Sequence, residues 1–126
     1  MSHIATVELR IKSLSALKAA IEALGGQLNE EQKTYRHYYG EKACDAAITH
    51  PNAKYGIGVI QQQDGTYTME CDEWSTGGLK QVFGAGLNAI RQRYAAVVAG
   101  LKMRQQGWRV REQQQENGTL QLVCTR

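Results

Sequence analysis

The sequence has few of the features that would place it outside ordinary globular proteins. Its 126 residues include one proline and three cysteines, and no apolar run approaches the roughly 18 residues that span a bilayer. Cys44, Cys71 and Cys124 lie far apart and form no C-x-x-C pair, which argues against a disulfide framework and a closed zinc site. We therefore expect reduced packing thiols in a cytoplasmic protein without a membrane segment.

Acidic residues are missing from one long stretch. Between Ser75 and Arg111 there is no Asp or Glu, although seven Lys and Arg residues occur there. Residues 1–78 hold 7 basic and 10 acidic side chains, whereas residues 79–126 hold 8 basic and 2 acidic ones. A freely solvated helix usually mixes both signs of charge. We therefore expect this stretch to meet an acidic partner or to be covered by another protein surface.

Length and composition predict one folded domain over residues 1–126. Hydrophobic residues make up 42% of the chain and its glycines are scattered, which is typical of a globular protein and not of a disordered or collagen-like one. A domain of this size buries enough apolar surface to fold without disulfides or a metal. We expect no cofactor.

The first third of the chain predicts a strand followed by a helix. Apolar and polar residues alternate over residues 5–12, the period of a half-buried strand. Ser13 stands where a helix N-cap belongs, and apolar residues follow at spacings of three and four until Gly25 ends the helix. The polar residues 27–32 predict a loop, and two strands are then expected. These strands cover residues 34–39 and 44–49.

Two β-hairpins are predicted around Asp64-Gly65 and Asn117-Gly118. A two-residue loop would place the apolar side chains of paired strands on opposite faces, whereas a three-residue loop ending in a left-handed glycine aligns them. We therefore predict loops at residues 63–65 and 116–118. The paired strands are residues 55–61 with 67–71, and residues 108–114 with 119–125.

One long helix is predicted over residues 79–106. Apolar residues recur at spacings of four and three from residue 83 to residue 101, and Gly107 predicts a Schellman end. The two glycines near the start each cost about 1 kcal/mol in a helix, so the true start could lie nearer Gly86. At roughly 40 Å the helix is longer than a seven-residue strand of about 23 Å, so one end should overhang the sheet.

The back of this helix, opposite the apolar stripe, carries small or neutral side chains and no charge. Small residues allow a second helix to approach closely, and charges are depleted from the centres of interfaces. We predict that this surface contacts a partner protein or a second copy of the chain, with one tryptophan as an aromatic anchor. The predicted interface residues are Gln81, Asn88, Gln92, Ala95, Ala99, Met103 and Trp74.

The basic residues allow two interpretations. Lys and Arg beside a core stripe commonly lay their stems along its edge. Alternatively, they contact the phosphates of a nucleic acid, for which a net charge of +3 is low but clustering counts for more than the total. The candidate anion or nucleic-acid contacts are Arg36, Arg91, Arg93, Lys102, Arg104, Arg109 and Arg111.

Residues 35–39 form the richest aromatic cluster. Tyr35, His37 and Tyr39 should share one strand face, where they could stack a base or hold an anionic ligand beside Arg36. Tyrosine is also favoured in half-buried strands, so packing is the competing interpretation.

Catalytic and metal-binding patterns are missing. His37, Cys44 and His50 show no metal-ligand spacing, and Cys44 near His50 comes without a nucleophile or oxyanion signature. We predict no catalytic residue and no metal ligand, and hence no enzyme.

Short motifs along nearly the whole chain carry a family resemblance. They are Met1-Ser2-His3, residues 17–24 before a glycine, Tyr55-Gly56-Ile57-Gly58, Asp72-Glu73-Trp74, Gln92-Arg93-Tyr94-Ala95, Gln106-Gly107 and Glu116-Asn117-Gly118. This pattern resembles the hypothetical chloroplast reading frame thirty-five family, an uncharacterised family of plastids, cyanobacteria, other bacteria and some phages. That family has no established activity, and its genes often lie beside an AAA-type ATPase and another small conserved protein. The resemblance implies an accessory or adaptor role.

The predicted order of strand, helix, four strands, long helix and two strands indicates an α+β domain. We expect an antiparallel sheet with both helices on one face, as a ferredoxin-like core with extra strands. Gly56 and Gly58 should fall on the outer face with Glu70 and Asp72, forming a flat acidic patch. The function we expect is non-enzymatic binding through protein contacts, as an oligomer or within a larger machine. The alternative is nucleic-acid binding.

Overall fold

The computed structural model describes residues 4–116 and 120–126, and over these ranges the chain forms strands and helices in the order expected of an α+β domain. The helices are α1 (Leu14–Ala23), α2 (Leu79–Phe83) and α3 (Asn88–Gln105). The strands are β1 (Ile4–Ile11), β2 (Gln27–Asn29), β3 (Thr34–His37), β4 (Gly40–Ala43), β5 (Ala46–Thr49), β6 (Ile57–Gln61), β7 (Tyr67–Asp72), β8 (Arg109–Gln114) and β9 (Leu120–Thr125).

The main sheet is antiparallel and has the strand order β1-β7-β6-β5-β2. Its inner face packs with the three helices in one hydrophobic core, so the predicted α+β class with helices on one face is confirmed. The neighbours β1-β7-β6 follow the order of a ferredoxin-like core, to which β5 and β2 are added. The difference lies after α3, where β8 pairs with β9 in a separate two-stranded sheet and does not join β1.

Helix α1 forms as its sequence predicts. The Ser13 hydroxyl accepts a hydrogen bond from the Ala16 N–H at 3.1 Å, and Gly25 adopts a φ of 83° just after the helix. Leu17 and Ile21 are fully buried against the sheet. At the start of the helix the Tyr94 hydroxyl of α3 accepts a hydrogen bond from the Lys12 N–H at 3.0 Å. This bond fixes α3 to the turn between β1 and α1.

The β6–β7 hairpin has the predicted three-residue loop. Gln61 pairs with Tyr67, the Gln62 N–H donates to the Thr66 carbonyl at 2.7 Å, and Gly65 has a φ of 85°. In the β8–β9 hairpin Val110 pairs with Cys124, which is the predicted alignment. The Asn117-Gly118 turn of that hairpin lies outside the described residues.

Two local predictions between α1 and β6 are wrong. Residues 27–32 were expected as a loop, but Gln27–Asn29 forms the edge strand β2, in which Leu28 is buried and pairs with Ile48. A single buried side chain in a polar stretch leaves no alternation to read. Gly40–Ala43 forms β4, which is exposed throughout and therefore has no apolar pattern either. It pairs with β3 in a hairpin outside the main sheet.

The predicted single long helix is broken. Gly84, Gly86 and Leu87 all have positive φ values, of 81°, 62° and 56°, so the chain turns sharply between α2 and α3. The Glu73 carboxylate accepts a hydrogen bond from the Gly86 N–H at 3.1 Å and holds this turn. Because of the break, Phe83 and Leu87 both reach the core although they do not share one helix face.

The β3–β4 hairpin covers the outer face of the sheet. Tyr35 is fully buried over Gly58, and its hydroxyl donates a hydrogen bond to Glu70 Oε2 at 2.5 Å. Lys42 Nζ lies 2.6 Å from the same oxygen. The Gly56 N–H donates to the Arg36 carbonyl at 3.0 Å, which joins the two backbones. The prediction of a flat acidic patch on this face is therefore wrong, because the two glycines make room for the Tyr35 side chain.

The Asp72 carboxylate is the second anchor of this hairpin. It is only 1% exposed, and it accepts hydrogen bonds from the Tyr38 N–H and the Trp74 N–H, both at 3.0 Å. A buried carboxylate needs such donors, since its charge is costly away from water. Asp72 therefore joins the tip of the hairpin to the segment that leads into α2.

Two glycine substitutions test the packing of Tyr35. A Cβ at Gly58 would overlap the Tyr35 ring, so Gly58→Ala should lower the free energy of unfolding by roughly 1–3 kcal/mol. A Cβ at Gly100, in α3, meets its nearest atom at 3.4 Å, so Gly100→Ala should be neutral or raise that free energy by up to about 1 kcal/mol. Urea denaturation measures both. Equal effects of the two variants would contradict the packing of Tyr35 on Gly58.

Two buried groups make stability depend on alkaline pH. Burial, with a smaller contribution from Glu73 and Asp72, raises the pKa of the Cys71 thiol to about 12. Burial and the bond to Glu70 raise the pKa of the Tyr35 hydroxyl well above its usual range. Both groups are neutral when protonated, and both pKa values are higher in the folded protein. Their stabilisation is complete below the unfolded pKa and is lost as pH rises towards the folded pKa.

We predict that the wild-type free energy of unfolding falls between about pH 9 and pH 10, where an unfolded cysteine is mostly ionised and an unfolded tyrosine is ionised to about half at most. The Cys71 thiol should contribute up to about 1.4 kcal/mol per pH unit. Cys71→Ala removes this contribution, so its stability should depend less steeply on pH. Urea titrations at both pH values compare the two proteins. The same slope in both would contradict the high pKa of Cys71.

Candidate interaction surface

Helix α3 packs between α1 on one side and the β8–β9 hairpin on another. Ile90 and Tyr94 are buried towards the core. Gly100 is buried as well, and a Cβ built there would lie 3.8 Å from Val110 Cγ1 of β8. The hairpin therefore packs against the second half of α3 at Gly100.

An ion pair fixes the same hairpin to the helix. Arg93 Nη1 of α3 lies 2.6 Å from Glu112 Oε2 of β8, and the Arg93 side chain is only 19% exposed. Its Nε atom is buried without a hydrogen-bond partner in the described part of the chain. Arg93 is one of the candidate anion contacts, and within the chain it is engaged with Glu112, the first acidic residue after the acid-free stretch.

The side of α3 opposite Arg93 and the β8–β9 hairpin is exposed over three turns. Arg91, Ala95, Val98 and Lys102 follow one another at spacings of four, three and four, and all are exposed. Val98 is 39% exposed and the neighbouring Leu101 is 46% exposed. We call this surface the α3 outer face and define it by Arg91, Ala95, Val98, Ala99, Leu101 and Lys102.

Leu101 was predicted to belong to the core stripe, and this is wrong. The second half of α3 has the β8–β9 hairpin on one side, and Leu101 is 46% exposed. The apolar stripe therefore reaches the core only as far as Val97, and Leu101 lies beyond it. Leu101 becomes part of a surface with an apolar centre and basic ends.

The predicted interface residues are only partly brought together. Asn88, Ala95 and Ala99 are exposed along α3, while Gln92 and Met103 are half-buried there. The other two do not continue this strip. Gln81 lies on α2 beyond the break, and Trp74 precedes α2, where its backbone donates to Asp72.

The remaining basic residues are exposed on separate elements. Arg91, Lys102 and Arg104 lie on α3, and Arg109 and Arg111 lie on β8. On β8 these two arginines alternate with Val110, which faces α3, so they lie on the outer side of the hairpin. Arg36 is exposed on β3, in the other hairpin.

The aromatic cluster at residues 35–39 divides into two parts. Tyr35 packs inside the protein, as the competing interpretation proposed. Tyr38 and Tyr39 are exposed at the turn of the β3–β4 hairpin, with ring centroids 4.9 Å apart in an edge-to-face arrangement. The strand ends at His37, so Tyr39 does not continue the face of Tyr35.

The candidate catalytic groups have structural contacts. Burial raises the pKa of the Cys44 thiol, which is the opposite of what activates a nucleophile. His50 Nδ1 lies 3.0 Å from the Asn52 N–H that donates to it, and Nε2 lies 3.2 Å from the Leu24 carbonyl. Its imidazole thus joins the end of α1 to the turn after β5. Within residues 4–116 and 120–126 no three His, Cys, Asp or Glu side chains are grouped to hold a metal.

Two features of this surface were missed at first, and both have a signal in the sequence. Glu112 is two residues from Val110, so it lies on the same, helix-facing side of β8 and can reach an arginine of α3. Leu101 is the last residue of the apolar stripe that begins at Phe83. Neither signal names the partner atom, since that depends on how the hairpin lies on the helix.

Comparison with known proteins gives a family and no activity. No helix in the described ranges has the length and apolarity to cross a bilayer. No curated protein and no solved structure matches the chain. A family profile described as "Protein of unknown function (DUF1257)" matches residues 20–123, from α1 into β9. The chain therefore belongs to this family of conserved proteins of unknown function.

Proposed function

We propose that the protein is a cytoplasmic, non-enzymatic adaptor that binds another protein through the α3 outer face. The observation that carries this proposal is the exposure of Val98 and Leu101 on a regular helix. Exposed branched apolar side chains that lie together on one face, with charge at its ends, are typical of a binding surface.

The outer face lies on a firmly held element. The Tyr94 hydroxyl of α3 accepts a hydrogen bond from the Lys12 N–H, and Arg93 forms an ion pair with Glu112 on the β8–β9 hairpin. A surface that is ordered before binding loses less conformational entropy when its partner arrives. The helix is therefore a suitable platform for a partner.

The family resemblance supports a more specific version of this proposal. Within the family of unknown function, the motif pattern resembles that of the hypothetical chloroplast reading frame thirty-five proteins. What that implies is a role as an accessory to an AAA-type ATPase or another larger machine. Such a role requires a binding surface and no catalytic centre.

Nucleic-acid binding is the alternative, and the distribution of the arginines supports it less. Arg93 is engaged with Glu112, and Arg36 lies on a different hairpin from Arg109 and Arg111. Nucleic-acid affinity comes mainly from several phosphate contacts made together. An apolar centre between two basic residues suits a protein partner better.

Substituting the apolar centre tests the proposal. Val98→Asp combined with Leu101→Asp should reduce the capture of cellular partners at least about tenfold, because charge at the centre of an interface is strongly unfavourable. Both positions are exposed, so the melting temperature should change little. Affinity purification from the native cell with quantitative mass spectrometry measures the capture.

The matched control is Ser15→Asp combined with Ala19→Asp. These two positions are exposed on α1 at helical spacing, so the control adds the same charge to a different helix. It should retain the partners. The proposal is wrong if the α3 variant also retains them.

A further inference from the structure

We infer that the α3 outer face receives an acidic amphipathic helix of a different protein. This inference rests on the proposed function and adds the chemical class of the partner. It is carried by the charge at the two ends of the face, by the small residues between them and by the effect of placing two such faces together.

The charge on the face is of one sign. Arg91 and Lys102 are eleven residues apart, about 16 Å along the helix, and only uncharged residues separate them on this side. No described carboxylate forms a salt bridge with either residue, and Glu112 is engaged with Arg93. Carboxylates on a partner would therefore find two cations at a fixed distance.

The shape of the face fits a helix. Ala95 and Ala99 form a low ridge with Arg91 at a spacing of four residues, and Val98 and Lys102 form the next ridge at the same spacing. Helices pack by placing a ridge of one into the groove between two ridges of the other. The alanines allow close approach, and Val98 with Leu101 offers apolar contact. A partner helix needs an apolar stripe with Asp or Glu beside it.

A second copy of this chain does not fit the same face. A two-fold contact places the same patch on both subunits, so Arg91 and Lys102 would meet only basic and uncharged residues. Like charges brought together across an interface cost several kcal/mol. The charge pattern therefore favours a different protein over self-association here.

The test uses a displayed library of helical peptides. Its apolar stripe is fixed as Leu and Ala, and the flanking positions vary among Asp, Glu, Lys, Arg and Ser. Wild-type protein should enrich peptides with Asp and Glu at these positions. Arg91→Glu combined with Lys102→Glu should reverse the preference towards Lys and Arg. The control, Arg109→Glu combined with Arg111→Glu, makes the same charge change on β8 and should keep the acidic preference.

An enriched acidic peptide is then measured by fluorescence anisotropy. We expect its affinity for the wild type to exceed that for the Arg91→Glu and Lys102→Glu variant at least about tenfold, and to weaken as salt is raised. Enrichment without a charge preference, or with the same preference in the charge-reversed variant, would overturn the inference. So would binding of labelled DNA or RNA oligonucleotides, or self-association in sedimentation, if the Arg91 and Lys102 substitutions abolished it.

The two proposals fail in different ways. If Val98→Asp with Leu101→Asp loses the cellular partners while the library shows no acidic preference, the face binds proteins and the inferred class of partner is wrong. If that variant keeps its cellular partners, the proposed function is wrong.

Discussion

The carboxylates at the end of β7 hold the parts of this fold together. Asp72 binds the backbone of the β3–β4 hairpin and of the segment before α2, and Glu73 binds the backbone at the break before α3. Glu70 accepts hydrogen bonds from the Tyr35 hydroxyl and the Lys42 ammonium group of the hairpin. Three neighbouring acidic residues thus hold in place the hairpin that covers the sheet, the segment before α2 and the turn before α3. Asp72 and Glu73 bind backbone N–H groups, which every residue but proline offers, whereas Glu70 depends on the side chains of Tyr35 and Lys42.

The fold could be predicted wherever the signal for an element lies within its own residues. The alternation in β1, the cap at Ser13 and the turn at Gly65 are local, and each forms as expected. The errors arise where another element supplies the reason. Strand β2 pairs through Leu28, which is buried beside Ile48, and the turn after Phe83 is held by a hydrogen bond to Glu73. The glycines at that break were correctly seen as costly in a helix, but their cost alone does not say where the chain turns.

The candidate surface was predictable in its charge and less so in its position. The acid-free stretch is a property of the sequence, whereas the exposed side of α3 depends on where the β8–β9 hairpin lies. That hairpin packs beside Arg93 and Gly100, so it takes one flank of the helix and leaves the flank of Val98 open. A helical wheel shows both flanks as equivalent. Only the tertiary contacts distinguish the covered flank from the exposed one.

The asymmetry of charge in the sequence becomes an asymmetry of the surface. Of the seven basic residues between Ser75 and Arg111, Arg93 is half-buried in an ion pair and the other six are exposed. Among the acidic residues, Glu70, Asp72 and Glu73 are turned to internal contacts. Basic side chains that remain on the outside beside an open apolar patch repel a second copy of themselves and attract carboxylates. The same arrangement that leaves this side of α3 exposed within one chain therefore supports the proposal of an acidic partner.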